Sequence, residues 1–322
     1  MTPADDLTAS ATTPDEPTAT DLVATGHQVA VVTLAHGRHD HLRGQIAGLA
    51  RGERLPDLHV VAAMDDPEIV HVAARAWAEA TEAITVPTPP RLIVVDVATD
   101  PLGLPLAAAR NLAATEATAQ GADHLIFLDV DCIPGPGTVA SYARELAEPH
   151  TSRVSPAVLG GDVAYLPPLP EGQPDWTDPA DLARLAEVGE HRPDRVRLAP
   201  GESLAEPDLT RFWSLSFAMT VTDFWATGGF CPDYVGYGGE DTDFAQVVGA
   251  RGGSLTWIGG ATAYHQHHPS ASPPLAHLVD IVRNAGIFFD RWGWWPMEGW
   301  LEAFEERGLA APDEDGRWQV TA

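Results

Sequence analysis

The chain contains no lysine. All 19 of its basic residues are arginine, against 46 acids, which gives a formal net charge of −27 over 322 residues. So anionic a surface repels nucleic acid and anionic membrane, and neither is expected as a partner. It also leaves few cations with which to hold a phosphate, so a phosphate site here calls for a bound metal. Cysteine is nearly absent. Cys132 and Cys231 are too few for a disulfide framework or a cysteine-rich zinc cluster, and both are expected to act as small buried hydrophobes. No apolar run approaches the length of a membrane-spanning helix. The N-terminus lacks the basic and apolar regions of a signal peptide, so a soluble cytoplasmic protein is expected. The glycine-rich motifs G-x-G-x-x-G and the P-loop are missing as well. What is present, 44% hydrophobic residues and ten tryptophans, fits a globular chain of one large or two small domains.

Residues 1–25 are rich in Thr, Ala, Pro and Asp, have no apolar period, and are expected to form a disordered tail. Beyond them strands and helices alternate: strands at 28–35, 58–64, 92–97 and 125–129, helices at 39–50, 67–83 and 106–120. Such alternation predicts parallel strands joined by crossover helices, an α/β nucleotide-binding half over 26–150. The half at 151–310 is expected to begin with a strand at 158–166 and a long excursion at 167–211 around one helix, 179–188. A strand at 212–222 leads into a short helix at 222–227, capped by Thr222 or Asp223. A Gly- and Tyr-rich loop at 228–239 precedes a helix at 240–251. Short strands at 255–258 and 261–265 follow, then amphipathic helices at 275–292 and 297–307, and a tail at 311–322. The fold class is α/β: a Rossmann-like, mostly parallel central sheet flanked by helices.

Three groups of residues carry the chemistry. The apolar run at 125–128 ends in Asp129-Val130-Asp131, where Pro134, Gly135 and Pro136 stop the strand. Ligands of open α/β sheets bind beyond the carboxyl ends of strands. Paired carboxylates there are costly to bury as bare anions, and a divalent, oxygen-seeking cation such as Mn²⁺ or Mg²⁺ resolves that cost while leaving positions open for substrate phosphates. The second group, Glu240, Asp241 and Asp243, stands at a helix start after Gly238-Gly239. Acids are favoured there by the helix dipole alone; the functional reading makes one carboxylate a general base beside a hydroxyl nucleophile. The dipole is expected to keep Asp241 ionised at neutral pH. The third group is His265, His267 and His268, imidazoles at a strand end, any of which could join a carboxylate on a metal. Four late tryptophans, Trp292, Trp294, Trp295 and Trp300, are expected to pack helices against the sheet rather than to stack sugars.

Taken in order, these motifs resemble GT-A-fold glycosyltransferases of the family 2 type, with a C-terminal region similar to β-1,4-galactosyltransferases and chondroitin-polymerase-like enzymes. The likeness rests on Val31-Val32-Thr33-Leu34, on Asp129-Val130-Asp131 with Ile133-Pro134, on Thr227-Gly228-Gly229-Phe230 with Tyr237-Gly238-Gly239-Glu240-Asp241-Thr242-Asp243-Phe244, and on Ala263-Tyr264-His265-Gln266. The stretch 167–211 departs from it. The resemblance implies a GT-A fold with an acceptor-binding C-terminal half. It implies an inverting, Mn²⁺- or Mg²⁺-dependent hexosyltransferase that moves a galactose-, glucose- or N-acetylhexosamine-type sugar from a UDP-sugar to a hydroxyl acceptor, a glycan, glycolipid or small metabolite. By position, Asp131, Asp129 and His265 would hold the metal, and Asp129 would also meet the ribose. Thr33, Asp65, Arg110 and Asn111 would line the nucleotide. Asp241 would be the base, with Glu240 holding the acceptor. In place of the family's tryptophan before Gly-Gly-Glu-Asp the chain has Val235-Gly236-Tyr237, so acceptor stacking would fall to Tyr237 or Tyr234. Residues 234–239 would form a lid. The competing readings are a non-catalytic nucleotide-sugar-binding protein and a sugar nucleotidyltransferase; the latter would want basic residues in the loop after the first strand, where Ala35-His36-Gly37-Arg38 is a poor match.

Overall fold

Strand β1 (Val29–Ala35) is buried along its whole length, and so are β2 (Leu58–Met64) and β4 (His124–Leu128). Strands covered on both faces need apolar side chains at most positions, hence the hydrophobic runs, which only Thr33, His59 and His124 interrupt. Helices α1 (His39–Ala50), α2 (Ile69–Glu82) and α3 (Leu106–Ala119) alternate with these strands and with β3 (Arg91–Val97). This computed structural model describes residues 26–321 apart from 83, 85–87, 149–152, 171, 174 and 270. The tail expected at 1–25 lies outside the described residues.

The remaining elements are β5 (Cys132–Pro134), α4 (Thr138–Ala147), β6 (Ala157–Gly160), β7 (Val163–Tyr165), α5 (Pro179–Leu182), α6 (Leu185–Val188), β8 (Glu190–His191) and β9 (Ser203–Glu206). They continue with β10 (Ser216–Thr220), α7 (Val221–Thr227), α8 (Glu240–Ala250), β11 (Ser254–Ile258), β12 (Ala263–His265), α9 (Leu278–Trp292), α10 (Glu298–Glu306), β13 (Ala310–Pro312) and β14 (Trp318–Val320). The main sheet runs β3-β2-β1-β4-β10-β6-β11-β9, parallel from β3 through β4, with β10 antiparallel between β4 and β6. A smaller sheet, β5-β12-β7-β8, crosses its carboxyl edge. The main sheet therefore continues from the first half of the chain into the second.

Several expectations need correction. The strand expected at 158–166 is two strands in different sheets. They part at Gly161, where an added Cβ would lie 2.1 Å from the Ala261 carbonyl oxygen. Helix α7 begins one residue early, capped by Thr220, whose hydroxyl accepts from Asp223 N at 3.0 Å. The helix expected at 179–188 is two short ones, α5 and α6. The excursion 167–211 is tied in at both ends: Trp176, Leu182 and Leu185 pack on the small sheet, and β9 pairs with β11. Strand β5 and helix α4 were not expected; the Pro and Gly residues around them read only as a strand stop. The expected tail 311–322 forms part of the β13–β14 hairpin, which packs on α9. Among the described residues, no helix is long and apolar enough to cross a membrane.

Two features fix the edge where ligands would bind. The first is an aromatic cluster joining β4 and β10 to the start of α8. Phe127 stacks on Phe217 with centroids 4.4 Å apart, and Phe230 on Phe244 at 4.2 Å. Each such pair contributes about 0.5–1.5 kcal/mol beyond burial. The second is a buried chain of polar groups. Trp77 Nε1 donates to His59 Nδ1 at 3.0 Å, His59 Nε2 meets Thr33 Oγ1 at 3.2 Å, and Thr33 Oγ1 donates to Gln45 Oε1 at 2.8 Å. The Gln45 amide ends the chain on the carbonyls of Asp129 and Cys132, at 2.8 and 3.2 Å. Every donor finds an acceptor only if His59 is neutral with its proton on Nε2. Burial agrees, pushing its pKa down to about 3. The unfolded chain, at the ordinary value near 6.5, then binds the extra proton, so this histidine's contribution is complete above pH 6.5 and is lost as pH falls toward 3. His59→Gln is expected to flatten the fall of unfolding free energy between those pH values, as read by urea titrations.

Candidate active site

Strand β4 delivers Asp129 and Asp131 to the carboxyl edge of the main sheet. Strand β12 pairs with β5 so that His265 lies opposite Cys132, one residue from Asp131. Gln266 N then donates to the Asp131 carbonyl at 2.7 Å. The result is a cluster. Asp131 Oδ2 is 3.5 Å from His265 Nε2, 3.4 Å from His268 Nε2 and 4.0 Å from Arg38 Nη1. One ligand atom each from Asp131, His265 and His268 lie within 4.8 Å of one another. Burial opposes the charge of Asp131, but His268, His265 and Arg38 more than offset it and hold the carboxyl below its usual range. Burial lowers the pKa of His265, which favours the neutral imidazole a metal requires.

Two expectations about this cluster change. His268 joins it beside His265, so the choice among the three histidines is not a choice of one. Asp129 does not join it. Its Oδ1 accepts from Arg110 Nη2 at 3.2 Å, because Arg110 is buried and needs counter-charge. Burial, with the charges of Asp131 and Glu240, raises the pKa of Asp129 to about 6 against the pull of Arg110. If both histidines bind the ion, His265→Ala and His268→Ala should each weaken Mn²⁺ binding by about 10–100-fold, as read by calorimetry. An effect confined to His265 would restore the single-histidine assignment.

Arg110 ties the second group to the first. Its Nη1 donates to Glu240 Oε1 at 3.1 Å, and its guanidinium lies 5.1 Å over the Phe230 ring. The three acids at the head of α8 have different environments. Glu240 is engaged by Arg110. Asp243 is fully buried and takes four hydrogen bonds: Arg291 Nε at 2.6 Å, Trp292 Nε1 at 2.7 Å, Tyr234 Oη at 3.2 Å and Arg291 Nη2 at 3.3 Å. That makes it a structural anchor. Asp241 is half-buried, and its one backbone partner is Thr242 N at 2.7 Å. Burial and the adjacent Glu240 charge push its carboxyl up to about 7, outweighing the helix-terminal N–H. Desolvation thus works against the helix dipole that was expected to keep Asp241 ionised at neutral pH.

The nucleotide residues expected from the motif order are only partly free. Thr33 is fully buried, with its hydroxyl in the Gln45 chain. Asn111 spends its amide on the backbone of Phe230, accepting from its N at 2.8 Å and donating to its O at 2.7 Å. Its role is to fix the loop 227–230. Asp65 is exposed at the end of β2 in a left-handed conformation, φ 48°. Its neighbour Asp66 accepts from Gly37 N and meets His39 Nε2, both at 2.8 Å, and so pins the loop after β1. That loop carries Arg38, also left-handed at φ 51°. The lid expected at 234–239 is fastened to α9: Asn284 Nδ2 donates to the carbonyls of Gly238 at 2.9 Å and Val235 at 3.1 Å. Tyr234 is buried on Asp243, which leaves Tyr237, 40% exposed and stacked on His277, as the aromatic of this loop. Of the late tryptophans, Trp292 anchors Asp243 and Trp295 stacks on Phe289 at 4.3 Å.

Sequence reasoning missed Gln45 and Arg38 as parts of the site and left His268 as one of three histidines. One signal was available. Gly44 and Gly48 lie a turn apart inside α1, where glycine weakens a helix. A Cβ at Gly48 would sit 2.5 Å from Ile133 Cγ2, and one at Gly44 would sit 2.7 Å from Gln266 Oε1. Both glycines let β5 and the segment after β12 lie close on α1.

The chain has the fold of solved GT-A glycosyltransferases. It is similar to Staphylococcus aureus TarS 1-349 in complex with UDP-GlcNAc, with TM-score 0.52 and 12% identity over 81% of this chain and 65% of that one. It is similar to GalNAc-T7 with UDP, GalNAc and Mn²⁺, with TM-score 0.51 and 15% identity over 82% and 50%. Residues 206–269 match a family model described as the N-terminal domain of galactosyltransferase. In sequence the chain is 29% identical over 300 residues to the validoxylamine A glucosyltransferase of Streptomyces hygroscopicus subsp. limoneus, spanning 82% of this chain and 62% of that relative.

Proposed function

We propose that the chain is an inverting hexosyltransferase of the family 2 type, taking a UDP-sugar donor with a divalent metal and transferring to a hydroxyl acceptor. The observation that carries this reading is the Asp131–His265–His268 cluster at the carboxyl end of β4, with Asp241 near enough to feel the charge of Asp129. The UDP and UDP-GlcNAc complexes of its fold relatives, one with Mn²⁺, support the donor class, and the validoxylamine glucosyltransferase supports transfer of a hexose. Two imidazoles and a carboxylate suit Mn²⁺ better than Mg²⁺, which prefers oxygen ligands. When bound, the ion would supply Lewis-acid stabilisation of the charge on the departing diphosphate.

The chain's own residues do the rest. Asp241 takes the proton of the acceptor hydroxyl as that oxygen attacks the anomeric carbon. The bond from that carbon to the diphosphate oxygen breaks on the opposite face, which inverts the centre. Glu240, steadied by Arg110, holds the acceptor. Asp65 and Asp129 face the nucleoside, and Tyr237 offers a ring to the acceptor. Residues 26–150 serve the donor and 151–310 the acceptor within one domain. A UDP-release screen across UDP-hexoses, with and without Mn²⁺, tests the reading. Release from at least one donor only with metal is expected. UDP binding without turnover of any donor would favour a binding protein instead.

A further inference from the structure

Three of the chain's 19 arginines, Arg192, Arg195 and Arg211, line one pocket with Trp213 and Trp257. In a chain of net charge −27 that concentration of cations requires a reason. Two of the three are neutralised. Arg192 pairs with Asp194 through two hydrogen bonds, at 2.9 and 3.1 Å, and Arg211 pairs with Glu206 at 3.2 Å. Glu206 also accepts from Trp257 Nε1 at 3.0 Å, which sets that indole in place. Arg195 is different. Its guanidinium lies between the rings of Trp257 and Trp213, 4.6 and 5.3 Å from their centroids. It makes no ion pair among the described residues, and its Nη1 is buried without a hydrogen-bond partner. Across the same pocket Asp162 Oδ2 accepts from His191 Nδ1 at 2.5 Å, while its Oδ1 is buried and unpartnered.

A half-buried cation with an unpartnered buried donor and a carboxylate oxygen buried without a donor are both costly unless a ligand completes them. The pocket also adjoins the proposed active site. The carbonyl of Leu215, which lines it, accepts from Asp129 N at 3.0 Å. The ring of Tyr165, another lining residue, lies 5.1 Å from that of His265. Much of its wall comes from 167–211, the stretch that departs from the family pattern, so it is a feature of this chain.

We propose that this pocket anchors the acceptor through an anionic group on Arg195 and a neighbouring hydroxyl on Asp162, which makes the acceptor a sugar acid or a sugar phosphate. The inference rests on the transferase reading for the word acceptor, but the binding itself does not. The full chain, free of metal and UDP, is titrated by calorimetry with D-glucuronate, glucose 6-phosphate and glucose. At least one of the two anions is expected to bind ten-fold or more tightly than glucose, and which one does so separates carboxylate from phosphate. Arg195→Gln should erase that ten-fold advantage. Should this variant fail to fold by circular dichroism, Trp213→Ala, at a ring already 38% exposed, should weaken the same anion ten-fold. Equal binding of all three sugars, or anion binding that survives the substitution, overturns the proposal. Anion binding without metal-dependent UDP binding would sink the transferase reading and leave the pocket standing; the reverse would sink the pocket alone.

Discussion

Asp131→Ala is expected to lower the affinity for UDP in Mn²⁺ by at least about 100-fold and to leave the residual binding indifferent to chelator. The carboxylate is the one acid in the three-residue cluster, so its loss leaves two imidazoles beside Arg38. A dication held by imidazole alone is held weakly, and a chain of net charge −27 has few other cations for a diphosphate. The substitution should spare the fold, because the hydrogen bond that seats this loop on β12 runs from Gln266 N to the Asp131 backbone carbonyl, not to its side chain. Calorimetry with and without chelator reads the effect. Undiminished affinity in chelator, in the wild type or the variant, would remove the metal from donor binding.

The second large effect belongs to Asp241. Asp241→Asn keeps the size of the side chain and removes its basicity, so transfer should fall by roughly 10²- to 10⁴-fold while UDP and Mn²⁺ bind as before. The pH profile carries a further signature. A base must be ionised to act, and burial with Glu240 places this carboxyl at about 7. In the wild type kcat/KM should therefore rise with pH through about 7 and then level; the asparagine variant should lose that limb. Near-full transfer by the variant would hand the role to Glu240. Asp243 is not an alternative, since it is fully buried and held by Arg291, Trp292 and Tyr234.

These predictions depend on residues of unequal legibility. The buried parallel strands were plain in the sequence, because a strand covered on both faces carries apolar residues at most positions. Helix α1 and strand β2 were located to the residue. Asp131, His265 and Asp241 were legible as candidates because their motifs sit at element ends. What the sequence hid was competition for each side chain. Thr33 and Asn111 have the right types in the right places, yet buried backbone and Gln45 claim their polar atoms. Asp129 was legible as an acid, but its partner Arg110 lies on α3, and only the packing of α3 beneath the Phe230 loop turns one toward the other. His268 lay beyond the end of β12, where no period marks orientation. Strand β5 was too short, and α4 too enclosed by Pro and Gly, to stand out.

The metal cluster is the centre of the proposed mechanism, and pulsed electron paramagnetic resonance of the Mn²⁺-loaded chain with UDP reads it directly. The spectrum should hold nitrogen couplings from two imidazoles together with phosphorus coupling from the diphosphate. The nitrogen signal should fall by half in His265→Ala and again in His268→Ala. Phosphorus coupling with no nitrogen coupling in the wild type would place the ion on other ligands and contradict the assignment of Asp131, His265 and His268.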